Sequence, residues 1–79
     1  MNKEKEVITL IKKALKTKSK ITLKSTSDNI KEWDSLGHLN ILLALEKNIS
    51  NKVSNINELS SAHSIKKIVD LLKKNKLIS

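Results

Sequence analysis

Apolar side chains recur near the start of the chain at Val7, Ile8, Leu10, Ile11, Ala14 and Leu15, with i, i+3, i+4, i+7 spacing. Lys12, Lys13 and Lys16 take the other side. This spacing predicts a first amphipathic helix over roughly residues 3–16. The period is lost from Thr17 to Asp34, a stretch rich in Ser, Thr, Lys and Asp, although Ile21, Leu23, Ile30 and Trp33 stand in it like anchors. A structureless connection of this length is usually functional, and the reading here is a long loop pinned by those four side chains.

Strong helix formers resume at Leu36 and run to Ile49. Asp34 stands before them as a good N-cap, because its carboxylate can accept a free N–H of the following turn, so the second helix is predicted to start at Ser35. Residues 50–63 are rich in Ser and Asn, with Val53, Ile56 and Leu59 as the apolar positions. They suit a loop holding one short helical turn around Ile56–Leu59. Ser64 can cap a last helix in which Ile65, Ile68, Val69 and Leu72 form one face while Lys66, Lys67, Asp70, Lys73 and Lys74 face solvent, with its end near Asn75.

The expected fold is therefore all-α: a small four-helix bundle of three main helices and one short one, with a long first loop and no strand. Ile8, Ile11, Leu15, Leu42, Leu45, Ile49, Ile68 and Leu72 are expected to meet in one core. With 79 residues, no proline and one glycine, residues 1–79 read as a single domain. A domain this short buries only about 60% of the surface its unfolded chain exposes, which leaves little room for a deep active site.

Cysteine is absent, which removes disulfides, thiolate catalysis and Cys-based zinc sites together; any thiol chemistry would need a cofactor to bring the sulfur. No apolar run approaches the ~20 residues of a membrane span, and the N-terminal residues lack the apolar stretch of a signal peptide, so a cytoplasmic location is expected.

The net charge of +8 raises the possibility of a small basic helical nucleic-acid-binding protein. The distribution qualifies it. Residues 1–24 hold eight Lys against Glu4 and Glu6, and residues 66–79 hold five Lys against Asp70, whereas residues 25–65 hold three Lys against Asp28, Glu32, Asp34, Glu46 and Glu58. The ends are basic and the middle is mildly acidic. Arginine is absent and Trp33 is the single aromatic residue, so bidentate contacts and base stacking are poorly provided for.

Chemistry concentrates at the start of the second helix. A hydroxyl in a first helical turn sits beside unpaired N–H groups and the positive end of the helix dipole, where a phosphate ester is held favourably, and Ser35 has that place. An isolated Asp-Ser-Leu most often marks no more than a polar first-turn residue. Farther along the helix, Ile41, Leu42, Leu45 and Ile49 share one side, while Leu36, Asn40, Leu43 and Lys47 follow a separate stripe. So small a domain has no room to bury both, and the second stripe reads either as scattered exposed leucines, which need no explanation, or as a docking surface for partner enzymes next to Ser35.

The stretch Trp33-Asp34-Ser35-Leu36-Gly37-His38-Leu39-Asn40-Ile41, continued by Leu42-Leu43-Ala44-Leu45-Glu46, resembles the signature of the phosphopantetheine-binding carrier family, the acyl and peptidyl carrier proteins. The resemblance covers residues 5–74. It implies a non-catalytic carrier that holds 4'-phosphopantetheine covalently on Ser35, with Asp34 as helix cap and contact for the modifying transferase, and with an acyl or aminoacyl cargo carried as a thioester. It also implies a monomeric phosphoprotein of fatty acid or secondary metabolite biosynthesis, with no affinity for nucleic acid and no metal. Its partners would be a phosphopantetheinyl transferase, an acyl- or aminoacyl-loading ligase and a downstream acyltransferase or synthase, met through Leu36, Asn40, Leu43 and Lys47.

Carriers of fatty-acid synthesis commonly bear carboxylates along this helix. Here Gly37, Asn40 and Lys47 stand in such places and only Glu46 is kept, which points to a dedicated pathway. His38 lies one turn after Ser35, yet a hydrolase would also need an orienting acid, oxyanion donors and a Gly-x-Ser-x-Gly turn. His38 is read as a partly exposed first-turn residue, His63 as a loop residue without neighbouring metal ligands, and Trp33 as a core plug beneath the loop.

Overall fold

Each of the two later helices begins where a side chain closes an open N–H group. Asp34 Oδ1 accepts from the Gly37 N–H at 2.7 Å, and Ser64 Oγ accepts from the Lys67 N–H at 3.2 Å. The computed structural model describes residues 3–78. It contains helix α1 (Lys3–Leu15), helix α2 (Ser35–Asn48), two 3-10 turns (Asn51–Asn55 and Asn57–Ser61) and helix α3 (Ile65–Lys74). The architecture is all-α, and its only β feature among the described residues is an isolated bridge between Thr26 and Ser64.

The expected short third helix is thus two 3-10 turns. The first is closed by Ser50 Oγ, which accepts from the Lys52 N–H at 3.1 Å, and Ile56 in extended conformation separates it from the second. Val53, Ile56 and Leu59, one per turn and one between, are all buried. The segment serves as an apolar strap more than as a helix.

Helices α1 and α3 end alike. Lys16 and Lys76 take left-handed φ values of 54° and 60°. The Lys16 N–H donates to the Lys13 carbonyl and the Thr17 N–H to the Lys12 carbonyl, and Lys76 and Leu77 repeat the pattern on Lys73 and Leu72. These are Schellman closures with lysine where glycine is usual.

Val7, Ile11 and Leu15 from α1, Ile41 and Leu45 from α2, and Ile65, Ile68, Val69 and Leu72 from α3 meet in one core, with Trp33 among them. Of the eight side chains expected there, Ile8, Leu42 and Ile49 are only half-buried and pack against the cluster from outside, because each lies at the edge of its helix's apolar sector. The long loop is pinned as expected by Ile21, Ile30 and Trp33, but Leu23 is 39% exposed and anchors nothing. Backbone bonds complete the attachment: the Ser27 N–H donates to the His63 carbonyl at 2.8 Å and the Ile65 N–H to the Ser25 carbonyl at 3.0 Å. The loop is thereby tied to the start of α3, and its end delivers Trp33 and Asp34 to the start of α2.

Candidate functional site

The loop's last residues and the first turn of α2 lock together through three contacts. The Asp34 carboxylate caps Gly37, and the Asp34 carbonyl accepts from the His38 N–H at 2.8 Å. Gly37 is the close approach: a Cβ there would stand 2.2 Å from the Glu32 carbonyl oxygen and 2.9 Å from Leu15 Cδ2. The family-based view of Gly37 as a place where a carboxylate is missing overlooks this constraint, since no side chain fits.

The third contact is His38, which is buried, with 7% exposure, and not partly exposed as its sequence position suggested. Its Nδ1 accepts from Trp33 Nε1–H at 3.0 Å, and its Nε2 lies 2.8 Å from the Leu59 carbonyl oxygen. An Nδ1 that accepts leaves the ring proton on Nε2, which then donates to Leu59. The imidazole therefore ties the loop, α2 and the second 3-10 turn together. With both nitrogens committed, it is not positioned as a base for Ser35. His63, an exposed loop residue, packs its ring at 4.8 Å and a 41° tilt against His38.

Ser35 is the first residue of α2 and is exposed, as is Asp34. Among the described residues, the backbone N–H groups of Ser35 and Leu36 have no acceptor, so the helix end presents two free donors beside the Ser35 hydroxyl. An anionic ester on Ser35 fits this end on both counts, donors and dipole.

The outward stripe of α2 is more apolar than the sequence reading made it. Leu36 is 66% exposed, Leu43 53% and Leu39 51%. Leu39, absent from the expected set, lies within the same sector as Leu36 and Leu43, and its spacing of three residues from Leu36 and four from Leu43 was the available signal. Asn40 is half-buried on the border of the stripe, and Lys47 is exposed at its far end. Leu39, Leu42 and Leu43 also form one wall of a groove of about 530 Å³ closed on the other side by Val53, Ile56 and Leu59. Ser35 and Asp34 thus adjoin an exposed apolar surface, while Lys47 sits about three turns away along the helix.

No helix among the described residues is long and apolar enough to cross a membrane, and no group of three or more His, Cys, Asp or Glu there could hold a metal ion. Comparison with protein-family models, curated proteins and solved structures finds no match to this chain.

Proposed function

We propose that the chain is a phosphopantetheine carrier domain, not itself an enzyme, whose Ser35 bears 4'-phosphopantetheine and which presents an acyl or aminoacyl group to partner enzymes. The observation that carries this reading is the exposed Ser35 hydroxyl at the head of α2, beside two free N–H donors and next to three exposed leucines. The bound arm supplies a terminal thiol, which the cysteine-free chain lacks, for thioester formation.

Ser35 would contribute the attacking oxygen: a P–O bond forms to the pantetheine phosphorus of coenzyme A as the pyrophosphate P–O bond breaks, adenosine 3',5'-bisphosphate leaves, and the hydroxyl proton passes to the transferase. Asp34 holds the turn rigid through Oδ1, and its other oxygen has no partner among the described residues and is free to meet the transferase. The Ser35 and Leu36 N–H groups and the helix dipole favour the resulting phosphodiester. Leu36, Leu39 and Leu43 dock the transferase, the loading ligase and a downstream acyltransferase or synthase, with Asn40 and Lys47 setting which enzymes fit. The fold class agrees with a carrier of the acyl-carrier type, acting as a cytoplasmic monomer. Against nucleic-acid binding, the one aromatic ring, Trp33, is buried and unavailable for stacking.

The test is an intact mass after incubation with coenzyme A and a broad-specificity phosphopantetheinyl transferase. One phosphopantetheine is expected on the wild type and none on Ser35→Ala. Modification that persists in Ser35→Ala removes the proposal.

A further inference from the structure

A concavity of about 1050 Å³ lies between α1 and the first part of the long loop, and Ser35 does not line it. Its floor is apolar: half-buried Ile8, buried Ile21 and partly exposed Leu23. Its rim is made of Lys5, Lys12, Lys13, Lys16, Lys20 and Lys24, all exposed, and no Asp or Glu lines it. Among the described residues, none of these six lysines forms an ion pair. Thr17, which also lines the groove, donates its hydroxyl to Glu32 at 2.9 Å.

Such an arrangement is unfavourable in isolation. Six lysines of like charge crowd one rim, and Leu23 stays 39% exposed beside them. An anionic partner with its own apolar face relieves the charge crowding and covers Leu23.

We infer that this groove is a docking site for an acidic amphipathic helix of a partner protein. The rim from Lys5 to Lys16 runs along α1 for about 16 Å, or three turns, which matches the i, i+3, i+7 anchors by which a helix seats in a groove. Complementary carboxylates meet the rim lysines, and leucine-like side chains meet Ile8, Ile21 and Leu23. A nucleic acid offers no match for an apolar floor and finds no arginine or aromatic ring here. A lipid surface is flat and would leave the concavity unfilled. The site is separate from the carrier reading and stands or falls independently of it.

The experiment uses a fluorescein-labelled helical peptide of about four turns with leucine at i, i+3 and i+7 and glutamate on the flanks. The comparison probes are a scrambled peptide of the same composition, phosphatidylglycerol vesicles and a random-sequence DNA duplex. The peptide is expected to bind with amide shift changes confined to Ile8, Thr9, Lys12, Ile21 and Leu23. Affinity should fall about tenfold or more in Lys5→Glu/Lys20→Glu, with a shallower salt dependence, and likewise in Leu23→Ser. All three substitutions are at exposed positions, and unchanged thermal melts would confirm an intact fold. Equal binding of the scrambled peptide, shifts on the α2 leucines instead, no peptide binding at all, or preferential binding of the vesicles or the duplex would each overturn the inference.

Discussion

Helices α2 and α3 are built from similar amounts of leucine and isoleucine, yet they use them differently. In α3 the apolar residues Ile65, Ile68, Val69, Leu71 and Leu72 are all buried, and Lys66, Lys67, Asp70, Lys73 and Lys74 are all exposed. In α2 only Gly37, His38, Ile41 and Leu45 are buried, while Leu36, Leu39 and Leu43 stand in solvent. One helix spends its apolar side chains on the core; the other keeps a second apolar sector outside. Stability explains the sequence of α3 completely. It leaves the outer half of α2 unexplained, and that half adjoins the exposed Ser35.

The sharpest way to break this contrast is to truncate across it. Leu45→Ala and Leu72→Ala, at fully buried positions, should each cost about 2–5 kcal/mol. That is much of the stability of a domain holding roughly 0.05–0.15 kcal/mol per residue. Leu36→Ala, Leu39→Ala and Leu43→Ala should each change unfolding by less than about 0.5 kcal/mol, as expected for exposed side chains. Urea denaturation of the five variants reads the difference, and equal costs on both faces would abolish it.

Next in size come the two residues that fix the first turn of α2. Gly37→Ala should cost about 1–3 kcal/mol, because the new methyl meets the Glu32 backbone oxygen and the backbone must move. His38→Ala should cost a similar amount, about 1–3 kcal/mol, by leaving Trp33 Nε1–H without a partner and taking from the Leu59 carbonyl one of its two donors, the Ala62 N–H remaining. A red shift of Trp33 fluorescence should accompany the second change and not the Leu43 substitution. Smallest, and opposite in sign, is the relief of the two left-handed lysines: Lys16→Gly and Lys76→Gly should each stabilise by up to about 1 kcal/mol, read as a raised thermal midpoint. A fall in that midpoint would show that the lysine side chains contribute more than the backbone costs.

The functional face sharpens through its charges. An enzyme selected for an acidic carrier loses charge-assisted contacts at Asn40 and Lys47, and its basic surface is repelled by the +8 chain. Such an enzyme should use the modified protein slowly, and Asn40→Glu/Lys47→Glu should raise the rate without changing the melt. Leu43→Asp should impair the protein's own partner instead.

What was legible in the sequence follows from what each signal depends on. The period of α1, the caps Asp34 and Ser64 and the division of α3 into two faces are local, so they could be read from residue type and spacing. His38 could not, because one of its bonds goes to Leu59, 21 positions away, on a segment whose path was undetermined. Trp33, five residues before it, was the one faint hint. Gly37 was opaque for the same reason, since its constraint is the backbone of Glu32 folded across it. Leu23 has the residue type of an anchor, but its position in the loop leaves it lining an open groove. At the candidate site, Ser35, Asp34, Leu36 and Leu43 were named from the chain alone, whereas Leu39 was passed over although its spacing from Leu36 and Leu43 puts it in the same sector.

The claim on which the proposed function rests is that Ser35, among all the serines of this chain, is the one built to be modified. It is the only serine preceded by aspartate, and it opens a helix with free donors at its head. The direct measurement is fragmentation mass spectrometry of the wild-type protein after treatment with coenzyme A and a broad-specificity phosphopantetheinyl transferase. The account predicts the whole added mass on Ser35, in an ester that releases pantetheine phosphate under fragmentation. An unmodified protein under conditions that convert a known carrier, or the added group on any other serine, would contradict it.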